Sequence, residues 1–324
     1  MVLCNILITK DMLTINNLPK LSVQNLSSVK DLTKADVMSI IEVASLFKKN
    51  NKEKNKNIPI LNGRTIINLF FEPSTRTLIS FEVAAKRLGA DMINMNIEGS
   101  SLRKGETLID TADTLNAMNP DLVIIRHGSS GSIEEISSRL KCPIISAGEG
   151  TEEHPTQALL DAYTIQDNQK KFEEITVSIC GDIEHSRVAR SNYHLLKKMG
   201  SKIRFVTPDY FKPKDLDSYD VEYFNNLEKG IHGADVIIML RLQKERMHEA
   251  LISTDDYYKE FGLTKNIIQN AKKDVIVMHP GPINRGIEID SDVADGPNSV
   301  ILDQVSAGIS IRMAIMSLKL KNKN

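Results

Sequence analysis

Residues 70–82 read Phe-Phe-Glu-Pro-Ser-Thr-Arg-Thr-Leu-Ile-Ser-Phe-Glu, and at their centre Ser74, Thr75, Arg76 and Thr77 set three hydroxyls and a guanidinium side by side. An apolar run from Thr65 to Phe71 precedes them, and apolar residues at Leu78, Phe81, Ala85 and Leu88 follow, ending on Gly89. Spacings of three and four predict a helix over 75–88 with Gly89 as its C-terminal cap. A strand that hands over to a helix N-terminus presents free N–H groups and the positive end of the helix dipole. Hydroxyls and a guanidinium fork gathered there suit a phosphate. The structural alternative is that Ser74 merely caps the helix while Arg76 points to solvent.

The same kind of residue recurs after the other apolar runs. Ser100-Ser101-Leu102-Arg103-Lys104-Gly105 follows one, Arg126-His127 closes another, and the loop from Gly148 through His154, Pro155, Thr156 and Gln157 follows a third. Farther on, Cys180 leads to Gly181-Asp182 and then Arg187, Leu240 leads to Arg241-Leu242-Gln243, and Met278 leads to His279-Pro280-Gly281-Pro282. Ligands of open parallel sheets bind beyond the carboxyl ends of the strands, so cations repeated at that edge point to a polyanionic ligand. Local alternatives exist: His154 as a cap for the helix begun at Pro155, and Arg187 or Arg241 in a structural ion pair with a carboxylate such as Asp182. No chemical role is assigned to His279.

Common nucleotide motifs do not account for these residues. Gly99 and Gly105 are followed by Glu106-Thr107 rather than Lys-Ser/Thr, and Gly148-Glu149-Gly150 lacks the third glycine of a dinucleotide turn. ATP and NAD are therefore unsupported. The seven histidines form no HExxH or other metal pair at helical spacing, and Cys180 has no partner histidine in an obvious motif. No metal and no cofactor are expected.

The elements that must position these groups follow from periodicity. A helix begins after Thr33, with Val37, Ile40, Ile41, Ala44 and Phe47 on one side, and residues 50–57 read as a solvated loop. Strands are expected at 65–71, 91–96, 121–126 and 143–146, alternating with helices at 75–88, 107–118 and 132–140. After a helix near 156–167 come strands at 175–180, 202–207, 235–241 and 275–278, with helices at 187–199 and 264–271. Short apolar strands alternating with amphipathic helices give an α/β fold of two doubly wound, Rossmann-like parallel-sheet domains.

Bulk properties agree. At 324 residues two domains are the default, and 41% hydrophobic with 26% charged residues is a globular composition. A net charge of −1 gives no electrostatic case for nucleic acid or a membrane surface. Only 13 of the 41 basic residues are arginine, so each arginine at a strand end merits inspection. Cys4, Cys142 and Cys180 are far apart, odd in number and without CxxC spacing, which indicates a reducing, cytoplasmic setting. Met1 to Ile8 is apolar but lacks a basic n-region, so 1–20 reads as an N-terminal extension, with Met1 or Met12 as the start.

Five strings together resemble the aspartate/ornithine carbamoyltransferase family: Phe71-Glu-Pro-Ser-Thr-Arg-Thr, Lys104-Gly-Glu-Thr-Leu, His154-Pro-Thr-Gln-Ala-Leu-Leu-Asp, Arg241-Leu-Gln-Lys-Glu-Arg and His279-Pro-Gly-Pro. The resemblance spans about residues 21–318. Ornithine-type members typically carry His-Pro-Cys-Gln, a Ser-Met-Gly loop and His-Cys-Leu-Pro; this chain has His-Pro-Thr-Gln and His-Pro-Gly-Pro and no Ser-Met-Gly. It looks like the aspartate branch, whose members make N-carbamoyl-L-aspartate and phosphate in pyrimidine (UMP) synthesis.

The resemblance implies a carbamoyl phosphate-binding domain at 21–155 completed by a C-terminal helix at 303–320, and an aspartate-binding domain at 156–302. Ser74, Thr75, Arg76 and Thr77 would hold the phosphate. Thr77, Arg126 and His154 would polarise the carbamoyl carbonyl, Gln157 would bind its amide, and Gly281-Pro282, with a cis peptide, would complete the pocket. Arg187, Arg241 and Gln243 would take the aspartate carboxylates, and the amino group would attack directly, without a covalent intermediate. Holding about four negative charges calls for several cations of bidentate geometry, which favours arginine. Lys104 would reach the aspartate-binding site of a neighbouring chain in a homotrimer, on which regulatory or dihydroorotase chains could assemble. Two departures from the family stand out: the stretch before Lys104 is one residue shorter than in some relatives, leaving the cross-subunit contact to Ser100 or Ser101, and Leu78 replaces an arginine common among relatives. Leu78 would cost a supporting ion pair rather than phosphate binding. The competing readings are a carbamoyltransferase for ornithine or another amine, and a non-catalytic anion-binding scaffold.

Overall fold

A computed structural model describes residues 14–96, 107–243 and 252–321 of the 324. The chain forms two compact units, Met1–Glu149 with Ala307–Asn324, and Gly150–Ser306.

The first unit opens with helix α1 (Lys34–Asn51), which runs into the segment expected to be a loop. Its buried face is the expected Val37, Ile40, Ile41, Ala44 and Phe47. Thr33 and Asp36 form a capping box, and Asp36 also accepts the Ser22 hydroxyl at 2.6 Å and the Ser22 N–H at 2.8 Å. Burial pushes the Asp36 carboxyl up, but the donors from Ser22 and Thr33 outweigh it and hold it at about 2.

Then follow β1 (Thr65–Phe70), α2 (Thr75–Leu88), β2 (Asp91–Asn96), α3 (Leu108–Met118), β3 (Leu122–His127), α4 (Ser132–Ser137) and β4 (Ile144–Glu149). The expected alternation is present, although α4 ends three residues early. All four strands are parallel in the order β2-β1-β3-β4. Gly89 ends α2 with φ 78°, and a Cβ there would lie 2.9 Å from Pro59, so both backbone and space require glycine. Ile67, Leu69, Val123, Ile125 and Ile144 from three strands pack with Ala112, Leu115, Ile133 and Ile136 from α3 and α4.

The second unit contains α5 (Pro155–Asp167), β5 (Thr176–Cys180), α6 (Arg187–Met199), β6 (Lys202–Val206), β7 (Glu222–Phe224), α7 (Leu227–Ile231), β8 (Val236–Met239), α8 (Thr254–Phe261), α9 (Lys265–Ile268), β9 (Ile276–Met278) and α10 (Ser291–Ala294). Its parallel sheet has the order β7-β6-β5-β8-β9. Strand β7 and helices α7, α8 and α10 were not expected. Strand β7 is three residues long and Glu222, Tyr223 and Phe224 are all partly exposed, too little for an alternation to show.

Helix α11 (Ile301–Lys321) starts in the second unit and ends in the first. By length and hydropathy it could cross a bilayer, yet 72% of its apolar window is buried inside the fold. Lys319 on it donates to the Val23 carbonyl at 2.7 Å, and burial lowers its ammonium to about 8 while Asp36 opposes the shift.

Candidate active site

In the first sheet the chain changes direction at β1, with β2 on one side and β3 on the other. A switch of this kind opens a crevice beyond the strand ends. Of the two strands that flank it, β1 leads through a short turn to Ser74 and β3 carries Arg126 near its end, and Phe70 and Arg126 are partners in the ladder.

After β1 the chain reaches Ser74, the N-cap of α2, with φ −159° and ψ 84° and no side-chain hydrogen bond to the helix. Thr33, Thr107, Ser186 and Ser253 at comparable N-caps each accept a backbone N–H from the first turn. The purely structural account of Ser74 therefore fails: its hydroxyl does not cap. Thr75, Arg76 and Thr77 occupy the first three helical positions, and Leu78 the fourth. Thr77 is buried, whereas Thr75 and Arg76 are exposed. The first-turn N–H groups, the dipole and these side chains lie together at one helix end.

Arg126 is the penultimate residue of β3 and is 9% exposed. Its Nη1 donates to the Ala147 carbonyl at 3.0 Å, and its Nη2 meets Glu72 Oε1 at 2.7 Å. Phe71 N–H donates to the Arg126 carbonyl at 2.8 Å, so the arginine is tied to the β1 turn through backbone and side chain alike. A guanidinium anchored on one edge keeps its fork in a defined direction, as an oxyanion contact needs.

In the second unit Pro155 sits at the first position of α5, where its missing N–H costs nothing. His154 is the N-cap, but its ring makes no capping bond, which removes the structural alternative for it. Its backbone N–H instead donates to Ser191 Oγ at 2.8 Å, and Ser191 donates to Glu153 Oε2 at 2.6 Å. Gln157, 8% exposed, donates through Nε2 to Asp161 Oδ1 at 2.9 Å.

The second sheet switches direction at β5, between β6 and β8. Strand β5 leads to Gly181, whose φ of 116° favours glycine and where a Cβ would stand only 3.0 Å from Tyr257 Oη and 3.2 Å from the Leu240 carbonyl. Arg187 begins α6, is buried, and donates through Nη1 to the Gly150 carbonyl at 3.3 Å. Beyond β8, Arg241 Nη2 donates to Gln243 Oε1 at 3.3 Å, and Gln243 N–H donates to Asp182 Oδ2 at 3.3 Å. Asp182 also engages the His185 ring at 2.8 Å, and that hydrogen bond holds the imidazole above its ordinary range. Asp182 thus joins the β5 and β8 ends.

The remaining loop carries the expected cis peptide at Gly281-Pro282. His279 is buried; its Nδ1 accepts the Gly281 N–H at 2.8 Å, and its Nε2 lies 3.1 Å from Glu288 Oε1. Lys104, Ser100, Ser101, Met1 and Met12 lie outside the described residues. Among the described residues no cluster of three or more His, Cys, Asp or Glu side chains is arranged to hold a metal ion.

Sequence reading missed Glu72, Asp161 and Gln304 as partners of the site residues. Asp161 stands four positions after Gln157 on one helix, a spacing that could have exposed it. Gln304 carries no local signal, since only the folded chain brings it to Asp161.

Residues 24–167 match the carbamoyl-P binding domain, and 173–319 the Asp/Orn binding domain, of aspartate/ornithine carbamoyltransferases. The chain is 50% identical over 306 residues to an aspartate carbamoyltransferase catalytic subunit from Pelagibacter ubique, covering 94% of this chain and 98% of that one. It is 52% identical over 298 residues to the Bartonella bacilliformis protein of the same name, covering 90% and 92%. Among solved structures, Trypanosoma cruzi aspartate transcarbamoylase bound to N-(phosphonacetyl)-L-aspartic acid matches with TM-score 0.83 and 32% identity, covering 95% of this chain and 99% of that one. Ornithine carbamoyltransferase from Pyrococcus furiosus matches with TM-score 0.81 and 29% identity, covering 91% and 96%. With residues 24–167 and 173–319 matched by its two domains, the chain belongs to the aspartate/ornithine carbamoyltransferase family.

Proposed function

We propose that this chain transfers the carbamoyl group of carbamoyl phosphate to the α-amino group of L-aspartate, giving N-carbamoyl-L-aspartate and phosphate, the committed step of pyrimidine synthesis. The observation that carries the reading is the pair of sheet switch points, each flanked by strand ends that lead to guanidinium groups, with Ser74 and His154 at helix starts where neither side chain serves as a cap. Aspartate is favoured over ornithine because Arg187 and Arg241 are cations suited to a second carboxylate, where ornithine would require an acidic or neutral partner. The relatives of about half identical sequence carry the aspartate name.

The chemistry follows from the groups present. Ser74, Thr75, Arg76 and Thr77 neutralise and orient the phosphate. Thr77, Arg126 and His154 donate toward the carbonyl oxygen, which becomes an oxyanion as the amine adds to carbon. One such donor contributes about 3 kcal/mol to a barrier of this kind. The new C–N bond forms, the C–O bond to phosphate breaks, and the proton lost from nitrogen leaves with the phosphate or solvent. Positioning and charge carry the reaction, so the side chains need supply no nucleophile.

The assembly belongs to the same reading: a cytoplasmic homotrimer whose sites take Lys104 from a neighbouring chain. Buried thiols at Cys142 and Cys180 accord with a reducing compartment.

Titration with N-(phosphonacetyl)-L-aspartate tests the proposal, because that molecule joins a phosphonate to a dicarboxylate. One molecule is expected to bind per chain, with affinity falling in both Arg126→Met and Arg241→Met. Binding that ignores Arg241→Met would refute the assignment of the acceptor.

A further inference from the structure

A polar path within the second unit links two segments assigned to the acyl group. Gln157 Nε2 donates to Asp161 Oδ1 at 2.9 Å, and Gln304 Nε2 donates to the same oxygen at 2.8 Å. Asn192 Nδ2 donates to Oδ2 at 2.8 Å. Gln304 then accepts the His279 N–H on Oε1 at 2.9 Å, and the His279 ring accepts the Gly281 N–H. Asp161 is 0% exposed and is met by three side-chain amides.

An ionised carboxylate only accepts hydrogen bonds, whereas each amide has a donating and an accepting end. Asp161 therefore turns the NH2 ends of all three amides inward and their carbonyl ends away. For Gln304 that sends Oε1 to the His279 backbone and steadies the loop bearing Gly281-Pro282. For Gln157 it leaves Oε1 facing away from Asp161, and among the described residues this oxygen takes no donor. Burial pushes the Asp161 carboxyl up to about 6 against the three amide bonds, which leaves it ionised at neutral pH.

We propose that Asp161 is a positioning residue that fixes the polarity of the acyl subsite, holding Gln157 with its carbonyl toward the ligand so that the subsite selects an acyl phosphate bearing N–H groups. The inference rests on the carbamoyl-transfer reading and names what distinguishes carbamoyl phosphate from its near isostere acetyl phosphate. The two share the phosphate and differ by an NH2 against a methyl. An acceptor facing the NH2 gains a hydrogen bond, and the same acceptor facing a methyl loses its water without replacement. Pro282 has no N–H, so its backbone can add only a carbonyl acceptor.

Asp161→Leu keeps the size but removes the acceptor that holds all three NH2 ends, so Gln157 is no longer fixed in one orientation. In the full-length protein, dissociation constants for carbamoyl phosphate, acetyl phosphate and inorganic phosphate would be measured by calorimetry, together with KM and kcat. The wild type is expected to prefer carbamoyl over acetyl phosphate. Asp161→Leu should lower that preference roughly tenfold, raise KM for carbamoyl phosphate more than it lowers kcat, and leave inorganic phosphate binding unchanged. An unchanged preference, or an equal loss for all three ligands, overturns the proposal. Should that variant not fold, a neutron structure of the wild type with carbamoyl phosphate decides: Gln157 deuterons on Asp161 support it, and deuterons turned toward the ligand refute it. A wild type that transfers no carbamoyl group would instead overturn the reading beneath it.

Discussion

Arg126 shows how a single residue is prepared for its task. Its guanidinium is buried and held by Glu72 and the Ala147 carbonyl, so its direction is set before any ligand arrives. Replacing it with methionine keeps the bulk and removes the donors. Arg126→Met is expected to lower kcat for carbamoyl transfer by about a hundredfold or more while thermal stability changes little beyond the loss of the Glu72 pair, measured by steady-state kinetics beside calorimetry. A kcat within a fewfold of wild type would remove Arg126 from the transition-state contacts. The predicted residues were legible because they stand in short strings at strand ends: four in a row at Ser74–Thr77, and Arg126 at the close of an apolar run. Glu72 lay inside the first string yet had no visible partner, and Gln304 is tied to Asp161 by a contact that spans 143 positions. Local spacing records helix faces and turns; it does not record which remote amide meets which carboxylate.

At the scale of elements, periodicity placed α2 and α6 at their observed bounds because each ends on a glycine in the left-handed region and has a clear apolar face. It failed on β7, α7, α8 and α10, which are short and lean on the sheet for stability rather than on their own pattern. The start of α1 yields a prediction of its own. Asp36 joins the capping box to Ser22, so Asp36→Ala should cost about 2 kcal/mol near neutral pH. Its carboxyl is depressed on folding from 3.8 to about 2, so the contribution is full above the unfolded value and fades as pH falls toward 2. Denaturant unfolding from pH 6 to pH 2 should show wild type and Asp36→Ala converging in acid. A constant gap would show that the carboxylate charge is not what stabilises the helix start.

At the scale of the whole molecule, the family and both parallel sheets were readable from five strings and the alternation of elements, whereas the assembly is inferred through Lys104. If sites are shared between chains, two inactive variants should complement. Mixing Lys104→Ala with Arg126→Met chains, after dissociation and reassociation, should regain activity, because some mixed trimers hold a site with both native residues. Activity no higher than the sum of the parents would place Lys104 in its own chain's site. The central claim concerns the acceptor and is tested most directly by product. Purified protein would be given carbamoyl phosphate with aspartate or with ornithine, and the carbamoylated amino acid quantified alongside released phosphate. The expected result is N-carbamoyl-L-aspartate and phosphate in equal amounts, with no citrulline; citrulline alone, or phosphate without a carbamoylated product, would contradict it.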